Sequence, residues 1–174
     1  MTGAPPGRLV VGVGSPDRGD DAVGPAVAWS VAALASPGVR VVVHEDPTDL
    51  VHLWQDCDLA IVVDAVVSGR RPGDLVIVET GSTGPRLPED AWAGGGRGGT
   101  HGFGVAAAIE LSRAVGRLPR RVVLVGIEVS TLEVGAPMSH AVLDAVPVAV
   151  AHINGLLAGA RAGDLSDRPG QAQG

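Results

Sequence analysis

Short, almost unbroken apolar runs recur along the chain and alternate with segments of helical character. Residues 8–14 (RLVVGVG), 39–45 (VRVVVHE), 58–66 (DLAIVVDAV), 73–80 (GDLVIVET) and 120–129 (RRVVLVGIEV) predict five strands. Most lack the polar–apolar alternation of a strand wetted on one side, so they read as strands buried on both faces. Between them, residues 25–35, 46–55, 105–115 and 139–160 predict helices. The first ends at Ser36-Pro37-Gly38. The second opens with Asp46 as N-cap and Pro47 at the first helical position. The third carries Ala106 to Ala108 and stops at Gly116. The fourth has Ser139 as a candidate cap and Pro147 as a kink or break. Strands alternating with helices predict an α/β protein, a three-layer α/β/α sandwich around a mainly parallel five-stranded sheet with right-handed crossovers. The fourth strand follows the third after a short link and is expected at an edge or antiparallel.

Residues 81–104 (GSTGPRLPEDAWAGGGRGGTHGFG) carry no period. So long an irregular stretch inside a compact domain reads first as a binding loop, with a disordered insertion as the other reading. No internal repeat occurs. Residues 1–161 are expected to form a single domain and residues 162–174 a flexible tail.

Composition narrows the function. Hydrophobic residues make up 45% of the 174, enough for a full core, while aromatics are only 2%, so that core must be aliphatic. The net charge is −6 and all thirteen basic residues are Arg, dispersed rather than clustered, which argues against nucleic acid as a partner. The single cysteine, Cys57, excludes an internal disulfide and a cysteine zinc knuckle, and its neighbours Asp56 and Asp58 disfavour a nucleophilic thiolate. The opening MTGAPPGR lacks the features of a signal peptide, and the apolar run 22–35 is short and broken by Gly24, Pro25 and Ser30. A cytoplasmic protein without a membrane segment is expected.

The candidate chemistry lies at the strand ends. Residues 10–28 (VVGVGSPDRGDDAVGPAVA) have the strand–glycine turn–helix form of a dinucleotide-binding opening. However, Gly12, Gly14 and Gly19 are spaced G-x-G-x-x-x-x-G, and Asp17, Asp20 and Asp21 would repel a phosphate. A nucleotide-binding module, with Glu45 on a ribose hydroxyl, is therefore a minor alternative. In open α/β sheets ligands bind beyond the carboxyl ends of strands where the strand order reverses. Asp21 lies past the end of the first strand and Asp64 near the end of the third. Either alone could cap a helix or turn; two like charges in one crevice call for a cation or a proton between them. His101, after the glycine run, completes a mixed nitrogen and oxygen set suited to a borderline divalent metal such as nickel or zinc. His44, His52, His140 and His152 are read as structural or surface residues, and Asp17 and Asp20 as shaping the first loop.

The segments GVGSPDRGDDAVGP, AIVVDAVVSGRRPG, THGFGVAAAIELS and RRVVLVGIEVSTLEVGAPMSHAV, in this order over residues 8–160, resemble the hydrogenase maturation proteases. The resemblance implies a twisted, mainly parallel sheet between helical layers and an endopeptidase. The family's metal-binding positions match Asp21, Asp64 and His101. Its substrate class is the large-subunit precursor of a nickel-iron hydrogenase, from which one cut removes a C-terminal extension. Nickel already inserted in the precursor is the implied recognition element, so the metal is supplied by the substrate; the isolated protein could also take another divalent metal. The chain departs from the family pattern at Ser15, at residues 45–49 (EDPTD), at Val129 and in the glycine-rich segment before His101.

On this reading Asp21, Asp64 and His101 engage the nickel, and one carboxylate could serve as general base. No Ser-His-Asp or Cys-His arrangement is credible. Trp54, Trp92 and Phe103 are either core residues or the lining of a groove for the extension. A non-catalytic nickel-binding accessory protein is the main alternative.

Overall fold

The computed structural model describes residues 7–34, 37–87 and 104–166, with side chains through Ala160. It contains β1 (Gly7–Val13), α1 (Val23–Leu34), β2 (Val39–His44), α2 (Leu50–Leu53), β3 (Cys57–Val66), β4 (Leu75–Thr80), α3 (Val105–Ala114), β5 (Arg121–Glu128) and α4 (His140–Ser166). Single 3-10 turns precede α1 at Gly19–Ala22 and α2 at Pro47–Asp49. The sheet order is β2-β1-β3-β5-β4. β1 pairs in parallel with both β2 and β3, and β3 in parallel with β5. β4 closes the edge antiparallel to β5. The eight-residue link from β3 to β4 explains that sense, because a parallel return needs a crossover of a dozen or more residues.

The apolar runs are buried as their pattern requires. Leu9, Val10 and Val11 in β1, and Ala60 to Val63 in β3, are fully inaccessible. Side chains on one face (Val10, Ile61, Val63, Val123, Val125) pack against Val23, Val27 and Val31 of α1 and against Val142, Ala145, Ala149 and Ile153 of α4. On the other face Leu9, Val11, Val13, Val62 and Leu124 meet Leu50, Trp54, Val105, Ala108 and Ile109. Trp54 is therefore a core residue; its indole N–H donates to Ser112 Oγ at 3.0 Å inside the second layer.

Two glycines bring α1 down onto the sheet. A Cβ on Gly12 would stand 2.8 Å from Ala28 Cβ, and one on Gly24 would stand 2.9 Å from both Val13 N and Val63 O. The start of α1 thus crosses directly over the C-terminal ends of β1 and β3.

At Asp46 the expected cap is present: its side chain accepts from the Thr48 N–H at 2.8 Å, and Pro47 opens the turn. The expectation for Ser139 is corrected. Its carbonyl accepts the first bond of α4 from the Leu143 N–H, but its hydroxyl donates to Asp20 and does not cap the helix. α4 also runs unbroken through Pro147 and on to Ser166, with no further proline before residue 169. Residues 140–160 of α4 are long and apolar enough to cross a membrane by length and composition, yet their apolar stripe, Val142 to Leu157, belongs to the first core layer.

Candidate active site

The strand order reverses between β1 and β3, so the crevice of this fold opens above their carboxyl ends. Asp21 stands on the 3-10 turn that joins β1 to α1, and its half-buried carboxylate accepts the Ser15 N–H at 2.9 Å through Oδ2. Because the donor is main chain, the bond does not depend on the side chain at position 15. Gly14, with φ +133°, lets the chain pass under Asp21; its built Cβ would lie 3.3 Å from Asp21 Oδ1.

Asp64 follows the buried Val63 in β3 and is half-buried. Val62 and Val66, two residues to either side, face the α2/α3 layer, so strand alternation puts Asp64 on that same face. The pair Gly12↔Val63 continues as Val13 opposite Asp64. The structure thus places Asp21, in the turn after β1, and Asp64, near the end of the neighbouring β3, at the same edge of the sheet. His101, Trp92 and Phe103 lie outside the described residues. α3, which begins four residues after position 101, covers the face that carries Asp64 through Val105, Ala108 and Ile109. Among the described residues no three His, Cys, Asp or Glu side chains gather into a metal site.

Two carboxylates at this edge have structural work. Asp20 is fully buried. It accepts the N–H groups of Ser130 (3.0 Å), Thr131 (3.1 Å) and Ser139 (2.6 Å), together with the hydroxyls of Ser130 and Ser139. Burial raises its pKa, but the bonds from Ser139, Ser130 and Thr131 outweigh burial and hold the carboxyl below its ordinary 3.8. Further bonds complete the seam between the first loop and residues 130–139: Gly135 N–H to Asp17 O, Asp20 N–H to Thr131 O, and Arg18 Nε to Leu132 O. Glu128, 2% exposed at the end of β5, accepts the Ser68 and Gly69 N–H groups and the Ser68 hydroxyl. It ties down the loop that follows Asp64. Neither clasp follows from pattern alone. The available signal was an acid terminating an apolar run (VGIEVS) and a second acid beside Asp21.

The glycine turn does not offer a phosphate cradle. The Gly14 N–H donates to His44 O, the Ser15 N–H to Asp21, and the Asp21 N–H to Arg18 O. A nucleotide site needs those donors free and aimed outward.

Cys57 begins β3 at the opposite, N-terminal edge of the sheet. It lines a shallow cavity of about 460 Å³ with Arg8, Val39, Arg40 and Asp56. Burial pushes its thiol pKa upward against the opposing influence of Arg40, with Asp56 adding a smaller rise. Its position and protonation both remove it from the chemistry above Asp21 and Asp64.

A doubly wound α/β sandwich with paired acids at the switch point is a class with many hydrolases and binding proteins. The comparisons narrow it. The family model HycI, hydrogenase maturation protease, matches residues 45–155. The chain belongs to the hydrogenase maturation protease family, and as a member it is a peptidase. Its fold is similar to that of the hydrogenase maturating endopeptidase HybD from E. coli, with TM-score 0.69 and 21% identity over 88% of this chain and 93% of that one. It is similar to the [NiFe] hydrogenase maturation protease HycI from Thermococcus kodakarensis, with TM-score 0.63 and 21% identity over 85% and 90% of the two chains. A hydrogenase 2 maturation peptidase from Thaumarchaeota archaeon SCGC_AB-539-E09 gives TM-score 0.61 and 24% identity over 87% and 97%. No curated protein sequence matches the chain.

Proposed function

We propose that this peptidase removes the C-terminal extension of a nickel-iron hydrogenase large-subunit precursor once nickel has been inserted, and that Asp21, Asp64 and His101 engage that nickel. The metal is part of the substrate. What supports the reading is the placement of two acids at the carboxyl edge of neighbouring strands, Asp21 after β1 with its carboxylate on the Ser15 N–H and Asp64 near the end of β3. Oxygen ligands joined by one imidazole suit a borderline divalent ion, and a metal so held fixes the neighbouring peptide and polarises its carbonyl. The spent N–H groups of the glycine turn weigh against the nucleotide alternative.

The experiment is an intact-mass measurement of the precursor, nickel-loaded and nickel-free, after incubation with the protein. Loss of the extension from the loaded form only is expected. An uncut loaded precursor of the matching hydrogenase leaves the nickel-carrier alternative in its place. Asp21→Ala and Asp64→Ala should each lower cleavage by at least about 100-fold, as expected for loss of a metal-engaging or acid–base group.

A further inference from the structure

We infer that His44, oriented by Asp49, is a further catalytic residue, carrying the proton between the attacking water and the leaving amine. The inference rests on the peptidase reading of the crevice above β1 and β3.

His44 ends β2 directly opposite Val13 of β1. The next strand in the same row presents Asp64, because Gly12↔Val63 continues to Val13 and Asp64. His44 shares a face with Asp64. Val42 packs into the α2/α3 layer, and two residues on the His44 ring reaches Asp49 in the turn that leads into α2. The row His44, Val13, Asp64 therefore crosses three strands on one face, with Val13 buried between the two polar residues. At roughly 4.8 Å per strand, His44 and Asp64 stand about 10 Å apart at Cα along the carboxyl edge of the sheet. The Gly14 N–H, beside the bond that orients Asp21, donates to the His44 carbonyl and fixes that strand end to the Asp21 loop.

The ring itself is prepared for proton transfer. His44 Nδ1 lies 2.9 Å from Asp49 Oδ2. A carboxylate there selects the tautomer with hydrogen on Nδ1, which leaves the Nε2 lone pair as the base. No hydrogen bond to Nε2 occurs among the described residues, and the ring is one-third exposed. Asp49 is held in turn by the Asp46–Pro47 cap, which fixes the turn.

The balance is that of peptide hydrolysis. Water adds its oxygen to the scissile carbonyl carbon while one of its protons moves to Nε2. The C–N bond then breaks, and the imidazolium returns that proton to the departing nitrogen. Asp49 holds the ring through Nδ1 and its carboxylate stabilises the imidazolium.

The test compares the full-length protein with its His44→Ala and Asp49→Asn variants on a nickel-loaded large-subunit precursor, under single-turnover conditions with and without added imidazole. His44→Ala should cut about 100-fold more slowly, with precursor affinity unchanged, and imidazole should restore a measurable part of the rate. Asp49→Asn should also be slowed and gain nothing from imidazole. Cleavage by His44→Ala at the wild-type rate overturns the assignment. So does a slow variant that keeps the wild-type melting temperature yet ignores imidazole at every concentration tried. A wild-type protein idle on the loaded precursor sinks the underlying substrate reading, and this inference with it.

Discussion

At the scale of single residues, adjacent acids in the first loop have opposite fates. Asp21 accepts the Ser15 N–H beside the crevice; Asp20 turns inward and spends its carboxylate on residues 130–139. Removing the Asp20 side chain leaves three part-buried N–H donors without their acceptor, each costing about 1 kcal/mol or more. Asp20→Ala should therefore lower the unfolding free energy by on the order of 3 kcal/mol or more, read as a fall in the urea midpoint at constant slope. Asp64→Ala should lose cleavage, read as an unchanged intact mass of the nickel-loaded precursor. The pH dependence has a definite sign. The Asp20 carboxyl titrates lower folded than at its ordinary 3.8, so the unfolded chain binds its proton first as acid is added. The stability it contributes is complete above that value and disappears as pH falls through the lower, folded one. Asp20→Asn should flatten this acid limb in urea titrations run from pH 6 downward. An unchanged limb would show that the clasp does not govern acid unfolding.

At the scale of elements, the close crossing of α1 over β1 and β3 sets where Asp21 stands. Gly24→Ala would push a methyl into main-chain atoms of Val13 and Val63, which cannot yield as a side-chain tip would. Overpacking of this kind costs about 1–3 kcal/mol. Because the displaced helix carries the 3-10 turn of Asp21 with it, cleavage should fall by more than the loss of folded protein accounts for. A thermal melt and a single-turnover rate on the same sample separate the two. The elements themselves were legible in the sequence because buried parallel strands are written as continuous apolar runs, and because Asp46-Pro47 and Gly116 punctuate helices by known backbone chemistry. What stayed illegible is long-range. The hydroxyl of Ser139 looked like a helix cap because its local context is that of one, and its true acceptor, Asp20, is 119 positions away. Pro147 looked like a break, but α4 draws its stability from Val142, Ala145, Ala149 and Ile153 packed on α1 and the sheet, which outweighs one missing backbone bond. The position of Asp21 and Asp64 at the carboxyl edge was readable because parallel topology dictates which strand ends meet at a switch point. The His44–Asp49 pair was not, since nothing in the local sequence tells which face of β2 the ring takes or where the Pro47 turn leads.

At the scale of the whole molecule, the sheet separates two chemistries. Its carboxyl edge gathers Asp21, Asp64 and His44; its amino edge holds Cys57 and the cavity with Arg8, Arg40 and Asp56. β3 spans the distance, beginning at Cys57 and carrying Asp64 near its far end. They are seven residue steps apart along the strand, roughly 23 Å at 3.3 Å per residue. The thiol is neutral near pH 8, since burial lifts its pKa above the ordinary 9.0 and only the thiolate reacts with alkylating reagents. The native protein should thus be alkylated by iodoacetamide more slowly than the same chain in urea, with the difference narrowing as pH rises past 9. The linkage runs the same way: the folded state retains its proton to higher pH than the unfolded chain, so this group's contribution to stability declines as pH climbs through 9 and beyond. Once modified, the protein should still cut the nickel-loaded precursor at its original rate, because the label sits at the end of the sheet away from the crevice. Loss of cleavage in alkylated protein whose melting temperature is unchanged would mean that the two edges communicate, and would place part of the substrate's footprint at the amino end of the sheet.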